Sequence, residues 1–234
     1  MTLLAETPSR VLAVYAHPDD PEVSCGGALA RWAARGAEVR LVVVNAGDKG
    51  SHDPDTDPRE LTERRAAEVA AAAEVLGLAG VEMLGIPDGE ATNDTELRAR
   101  LVALVRAHRP DVVVAPDPTA VFFGDSYVNH RDHREVGWAV VDAVAPAAAS
   151  PLYFPEAGPA HQVDALLLSG TFQADVWVDV SDVVDVKLAA VACHESRVGD
   201  APELVAELLR RRMAETGAEV GVAHAESFRR LRFT

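Results

Sequence analysis

Two cysteines among 234 residues, Cys25 and Cys193, are too few for a disulfide framework or a thiolate zinc cluster. Basic residues are also scarce. Against 37 Asp and Glu stand only 22 Lys and Arg, a formal net charge of -15. Phosphate contacts need clustered cations, so this balance argues against a nucleic-acid partner and against docking on an anionic membrane. It also weighs against strongly anionic substrates. Long apolar runs are missing: stretches such as Val11 to Ala16 and Leu41 to Val44 are far too short for membrane insertion. A thiol-poor chain with no signal-peptide pattern reads as cytoplasmic. Two common enzyme signatures are absent as well. No G-x-G-x-x-G follows the first apolar run, only Gly26–Gly27, and no Ser sits in a nucleophile-elbow sequence.

What the chain does have is apolar content, 48% hydrophobic residues, enough for a substantial core. Short apolar runs alternate with helix-period segments, the pattern of βαβ units. Strands are predicted at Val11–Ala16, Val39–Val44, Val81–Ile86 and Asp111–Ala115, with later ones at Leu166–Leu168 and Ala174–Val180. Helices are predicted over Glu22–Arg35, ended by Gly36, and Arg59–Leu76, ended by Gly77. Further helices are expected over Glu96–His108, Asp132–Val144, Val183–Glu195 and Pro202–Thr216. No repeat or long linker divides the chain, so residues 1–234 are expected to form one domain. The expected fold class is α/β: a Rossmann-like, three-layer fold around a mainly parallel sheet, with the active site at the carboxyl ends of the strands.

Unusual polar residues fall at those strand ends. They are Ala16–His17–Pro18–Asp19–Asp20, Asn45–Ala46–Gly47–Asp48–Lys49–Gly50, Gly85–Ile86–Pro87–Asp88–Gly89 and Ala115–Pro116–Asp117–Pro118. Polar, Gly- and Pro-rich βα loops are common in any such fold and account for the last three well enough. They account poorly for the first. His17 and Asp20, three apart, can aim at one point, and crowding two carboxylates beside a histidine is costly without a cation. A catalytic zinc site needs a third ligand and an open position for water. Asn129–His130–Arg131–Asp132–His133 offers two histidines on one helical face, hence the third ligand and one to spare.

With these elements in this order, the chain resembles the LmbE-like, or PIG-L, N-deacetylases, a family that includes N-acetylglucosaminyl-phosphatidylinositol, mycothiol-pathway and bacillithiol-pathway deacetylases. The specific marks are Ala16–His17–Pro18–Asp19–Asp20, Gly26–Gly27, Asp88–Gly89 and His130-x-x-His133. Softer ones are Arg65-x-x-Glu68 before Leu76–Gly77, Asp179–Val180–Ser181, and Lys187 ahead of His194–Glu195–Ser196. The resemblance covers nearly the whole chain. It implies one zinc ion held by His17, Asp20 and His133, with Asp19 as the general base toward a metal-activated water. It implies His130 as the cation that stabilises the oxyanion or protonates the leaving amine. Substrate contacts are expected at Arg65, with Arg64 a competing choice, and at Asp88 and Tyr127. Homo-oligomers are common in the family.

Three departures stand out. Pro21 replaces a Glu that many members carry after the two Asp residues, and Arg197 stands where Gln is common. Val128 takes the place of a Tyr used by some members, with Tyr127 beside it. The expected activity is removal of an N-acetyl or other N-acyl group from a small molecule, an N-acetylglucosamine-type amino sugar by resemblance. A deacylase of a non-sugar amide and a catalytically inactive metal- or sugar-binding module are the alternatives. Asp19 discriminates against the last, because a module that only binds needs no base beside its ligands.

Overall fold

A computed structural model of the chain describes residues 2–199 and 201–233. In chain order, β1 (Thr2–Leu3) and β2 (Arg10–Tyr15) precede α1 (Asp20–Ala34), β3 (Glu38–Asn45) and α2 (Pro58–Leu76). β4 (Gly80–Ile86), α3 (Thr95–His108) and β5 (Val112–Pro116) follow. A small hairpin of β6 (Phe122–Phe123) and β7 (Tyr127–Val128) leads into α4 (Arg131–Asp142) and β8 (Ala165–Ser169). β9 (Val176–Asp179), α5 (Val184–Ala192), the short α6 (Glu195–Val198), α7 (Pro202–Ala218) and β10 (Ala225–Arg232) complete the order.

The strands form one sheet in the order β1-β9-β10-β8-β5-β2-β3-β4, parallel except for β10, which runs antiparallel to β8 and β9. Central strands are apolar at successive positions because both faces are covered. On β2, Val11, Ala13 and Tyr15 join a core shared with α1, α2 and α5. Leu12, Val14 and the following Ala16 join a second core shared with α3 and α4. The result is the expected mixed α/β arrangement of three layers. β2 lies between β3 and β5, so the sheet order reverses there and leaves a crevice above the carboxyl ends of β2 and β5.

Several elements differ from expectation. β10 has no counterpart in the sequence reading, because its alternation is masked by charge. Glu226 is buried at 5% exposure, and Arg229 and Arg230 are half-buried. Glu226 is satisfied from three sides, by Lys187 Nζ at 2.6 Å and by the backbone N–H groups of Gly27 and Ala28 at 3.0 and 2.7 Å. A Cβ at Gly27 would stand 2.9 Å from Val180 and 3.0 Å from that carboxylate, so glycine is what lets α1 approach β10. The helix expected over Val183–Glu195 is broken at Cys193–His194, leaving α5 and α6. The helix expected to reach Val144 ends as α4 at Asp142 and gives way to a wider turn over Ala143–Ala148, where Pro146 has no N–H to continue it. Among the described residues, no helix is long and apolar enough to cross a membrane.

The irregular segment after α4 is held by one side chain. Arg106 on α3 is 3% exposed and has no carboxylate partner among the described ion pairs. Its guanidinium instead donates to the carbonyl oxygens of Ala147, Ala148, Ser150, Tyr153, Phe154 and Gly158. The planar fork of donors suits such a cage, which a lysine ammonium cannot span. Arg106→Met is therefore expected to cost about 3 kcal/mol, from carbonyls left without donors. That cost corresponds to a drop of roughly 6–12 °C in unfolding midpoint for a chain of this size. Arg106→Lys should recover only part of it. A thermal melt of Arg106→Met within about 2 °C of the parent would contradict this role.

Candidate active site

The first strand-end loop is shaped by a backbone turn. After β2, the His17 N–H donates to Asp20 Oδ2 at 2.7 Å, and Asp20 opens α1 with Pro21 in its first turn. Asp19 caps that helix at φ 91°, a left-handed conformation that a residue with a Cβ adopts only under constraint. The turn sends His17 and Asp20 to one side. Asp19 goes to the other, where its Oδ2 lies 3.4 Å from Arg197 Nε.

The second contribution comes from the start of α4. His130 is the N-cap residue and its Nδ1 accepts from the Asp132 N–H at 3.2 Å. One turn on, His133 points at the first loop. Three donor atoms then meet: His17 Nδ1 and His133 Nε2 are 3.2 Å apart, His17 Nδ1 and Asp20 Oδ2 3.3 Å, and His133 Nε2 and Asp20 Oδ2 3.1 Å. Ligands 2.0–2.1 Å from a tetrahedral ion are separated by about 3.3–3.4 Å, so this face fits a small divalent cation with its fourth position turned to the cleft. His17, Asp20 and His133 are the residues able to hold one.

Both imidazoles are oriented from behind. His17 Nε2 meets the buried Asp132 Oδ2 at 3.1 Å, and His133 Nδ1 meets Asn129 Oδ1 at 2.9 Å. Asp132 Oδ2 also accepts from Asn45 Nδ2 at 3.2 Å and from the Gly89 N–H at 2.6 Å. Asn129 is fixed in turn by donating to the Ala120 carbonyl at 2.8 Å. Asp132 and Asn129 are functional positions the sequence reading did not assign. The available signal was an acid within the His-x-x-His element, since a carboxylate commonly orients a metal-binding histidine.

Electrostatics divide the groups. Burial opposes charge on His17, but its hydrogen bonds to Asp132 and Asp20 prevail and raise its pKa to about 10. Burial also opposes ionisation of Asp20, yet His133 and His17 hold its carboxyl far below the usual range. Asp132 is held low in the same manner, with hydrogen bonds from His17 and Gly89 overcoming its burial. The three-atom face thus calls for positive charge, a proton or a metal ion. Asp19 behaves oppositely: burial and then the neighbouring Asp20 raise it to about 7, with Arg65, His194 and Arg197 pulling it back. His130 is lowered, chiefly by burial and then by His17. With Nδ1 accepting a hydrogen bond, the neutral ring carries its hydrogen on Nε2.

His17, Asp19, Asp20, His130 and His133 line a cleft of about 1010 Å³, with Asp132 buried behind them. Arg65, 3% exposed, belongs to its wall, whereas Arg64 faces outward toward Glu68 and Glu195. A Cβ at Gly47 would come 2.7 Å from Arg65 Cδ, and Gly47 also sits at φ +78°. The softer sequence marks explain one another: Glu68 accepts from the Ser196 N–H and hydroxyl, Arg65 Nε reaches Ser196 Oγ at 3.4 Å, and Arg197 is thereby presented to Asp19. Asp88 lines the cleft, but its two oxygens accept from the N–H groups of Gly47 and Lys49, clamping that loop. Tyr127 stands half-exposed at the rim, 5.8 Å from the Phe123 ring.

A mainly parallel sheet whose switch point carries a His/Asp/His donor face, flanked by a separate carboxylate and imidazole, defines a candidate mononuclear metal centre. Comparison with known proteins specifies it further. Residues 12–144 match the family model PIG-L, GlcNAc-PI de-N-acetylase, and the chain belongs to this family. The diacetylchitobiose deacetylase of Thermococcus kodakarensis is 32% identical over 224 residues, covering 94% of this chain and 82% of the relative. The structure of N,N'-diacetylchitobiose deacetylase from Pyrococcus horikoshii, with its inhibitor MPG, superposes at a TM-score of 0.88 and 28% identity, covering 96% and 84% of the two chains. GalB, the 4-carboxy-2-hydroxymuconate hydratase from Pseudomonas putida, shares the fold at a TM-score of 0.81 and 23% identity, covering 97% and 98%. A hydratase on this fold means that the reaction must be read from the site.

Two substitutions probe the site directly. His133→Ala is expected to abolish tight binding of a divalent metal, measured as metal per chain after dialysis. Asp132→Ala should leave the donors in place but loosen His17, weakening metal affinity by about 10–100-fold in chelator competition. Wild-type affinity in Asp132→Ala would remove it from the metal centre.

Proposed function

We propose that this protein is a zinc-dependent N-deacetylase of an N-acetylglucosamine-type amino sugar. The observation that carries the reading is the sorting of five neighbouring groups. Three turn their donor atoms to one point, while Asp19 and His130 flank that point in the same cleft without joining the triangle. The acyl group and the sugar are supported by the relatives, whose names describe acetylated amino sugars. Zinc is supported by the N/O donor set and its spacing, which suit that ion.

When bound, zinc would supply Lewis-acid polarisation and acidify water at neutral pH. The chain supplies the rest. Asp19, held off the donor face by its left-handed backbone, would take the proton from the attacking water. A carboxyl raised toward neutrality is suited both to accept that proton and to return it to the departing amine. His130 Nε2–H would donate to the carbonyl oxygen as negative charge develops there, and the neutral ring needs no proton uptake first. Arg197 lies against Asp19 and would steer the carboxylate toward the cleft. Products would be acetate and the free amine. A site able to bind metal but not to turn over would need neither Asp19 nor its strained backbone, which disfavours the binding-module alternative.

Asp19→Asn tests the reading. It should keep metal content within error of the parent and lower kcat by about 100–10,000-fold, followed as acetate and amine release from N-acetylglucosamine glycosides. An active Asp19→Asn enzyme removes the base assignment. Parent enzyme that cleaves short-chain amides but no amino sugar would favour the non-sugar deacylase instead.

A further inference from the structure

Asp117 follows the carboxyl end of β5, beside the β2 end that carries His17, and so stands at the switch point of the sheet. It is 1% exposed and lines the same cleft as Asp19 and His133. Its Oδ1 accepts the N–H and the hydroxyl of Thr119 at 2.8 and 2.6 Å, which closes the turn after β5. Its Oδ2 is buried and has no hydrogen-bond partner. A buried carboxylate oxygen without a donor is costly, and the turn does not need this second oxygen. Six residues along the same segment, Phe123 also lines the cleft, its ring packed 4.8 Å from that of Phe172. A carboxylate with one unpartnered oxygen and an aromatic ring among the residues of one wall suit a polyhydroxylated ring, which offers O–H groups at its edge and C–H groups on its face.

We infer that Asp117 Oδ2 forms a hydroxyl-accepting subsite that takes one ring O–H of the substrate. The ligand class rests on the amino-sugar reading above. The subsite is separate from the donor triangle and from Asp19, so it governs substrate choice and placement. It also differs from Asp88, whose oxygens are engaged by loop amides.

The test compares the zinc-loaded parent with Asp117→Asn on methyl N-acetylglucosaminide and its 3-, 4- and 6-deoxy analogues. Asparagine keeps an oxygen for Thr119 and replaces Oδ2 by a donor. Metal content and melting temperature should stay at parent values while kcat/KM falls roughly 10–100-fold, the scale of a hydrogen bond to a charged group. One deoxy analogue should cost the parent a similar factor and cost Asp117→Asn little. Equal kcat/KM in the two proteins, or unchanged discrimination across all three analogues, would overturn the subsite. Calorimetric titration with the amine product, methyl glucosaminide, separates this inference from the reaction itself. If the parent hydrolyses no amino sugar, the functional reading fails alone, and the titration decides the subsite. Binding by the parent that Asp117→Asn loses sustains it, whereas equal affinities, or no binding by the parent, overturn it. Should Asp117→Asn melt early or lose metal, Asp117→Ser, which retains an acceptor oxygen, carries the same comparison.

Discussion

One carboxylate oxygen, Asp132 Oδ2, holds the site together. Three donors from three different strand ends converge on it: His17 after β2, Asn45 at the end of β3 and Gly89 after β4. Asp132 itself belongs to the first turn of α4, next to His133. Neighbouring parallel strands fix the spacing of their ends, but not the conformation of the loops beyond them. A fully buried acceptor with a short reach does so, because any loop that strays leaves a desolvated anion short of a donor. The orientation of His17 Nδ1 toward the donor triangle is thus set by a contact on the opposite side of its ring.

Much of this was legible in the chain, and the reason is local. β2, β3 and β5 read as strands because both faces are buried and nearly every position is apolar. α2 reads cleanly because Gly77 ends it in a left-handed conformation at φ 72°. The first loop is conspicuous because adjacent acids next to a histidine are unfavourable without a cation. Features that depend on distant partners were not legible. β10 is hidden because its buried Glu226 is neutralised by Lys187, 39 residues earlier. Arg106 looks like an ordinary helix-surface cation until its six carbonyl partners are seen. Arg64 and Arg65 cannot be told apart by type. Burial and the packing of Gly47 against Arg65 show which one faces the cleft.

Net charge was a poor guide to the cleft. The chain carries an overall charge of -15, yet Lys49, Arg65, Arg197 and Arg212 all line this cavity. Much of the acidic surplus lies on exposed loops and helix faces, where it acts on solubility and long-range attraction. In the cleft and directly behind it, the acids differ in their neighbours. Asp20 and Asp132 are held ionised by imidazoles, Asp88 accepts from loop amides, and Asp19 is pushed upward by burial and by Asp20. Four carboxylates at one site are therefore held in different ways. The differences come from partners, not residue type.

The site also straddles a seam. His130, Asp132 and His133 start a helix of the core formed with α3 and α4, whereas Arg65 and Arg197 come from the opposite layer with α2 and α6. The loop after β2 reaches both: His17 and Asp20 turn toward α4, and Asp19 turns toward Arg197. The left-handed backbone at Asp19 is what permits consecutive acids to face opposite layers. Relaxing that residue to an ordinary helical conformation would swing its carboxylate away from Arg197. Strain at one residue therefore separates Asp19 from the three donor atoms, and packing of both layers on β2 sustains it.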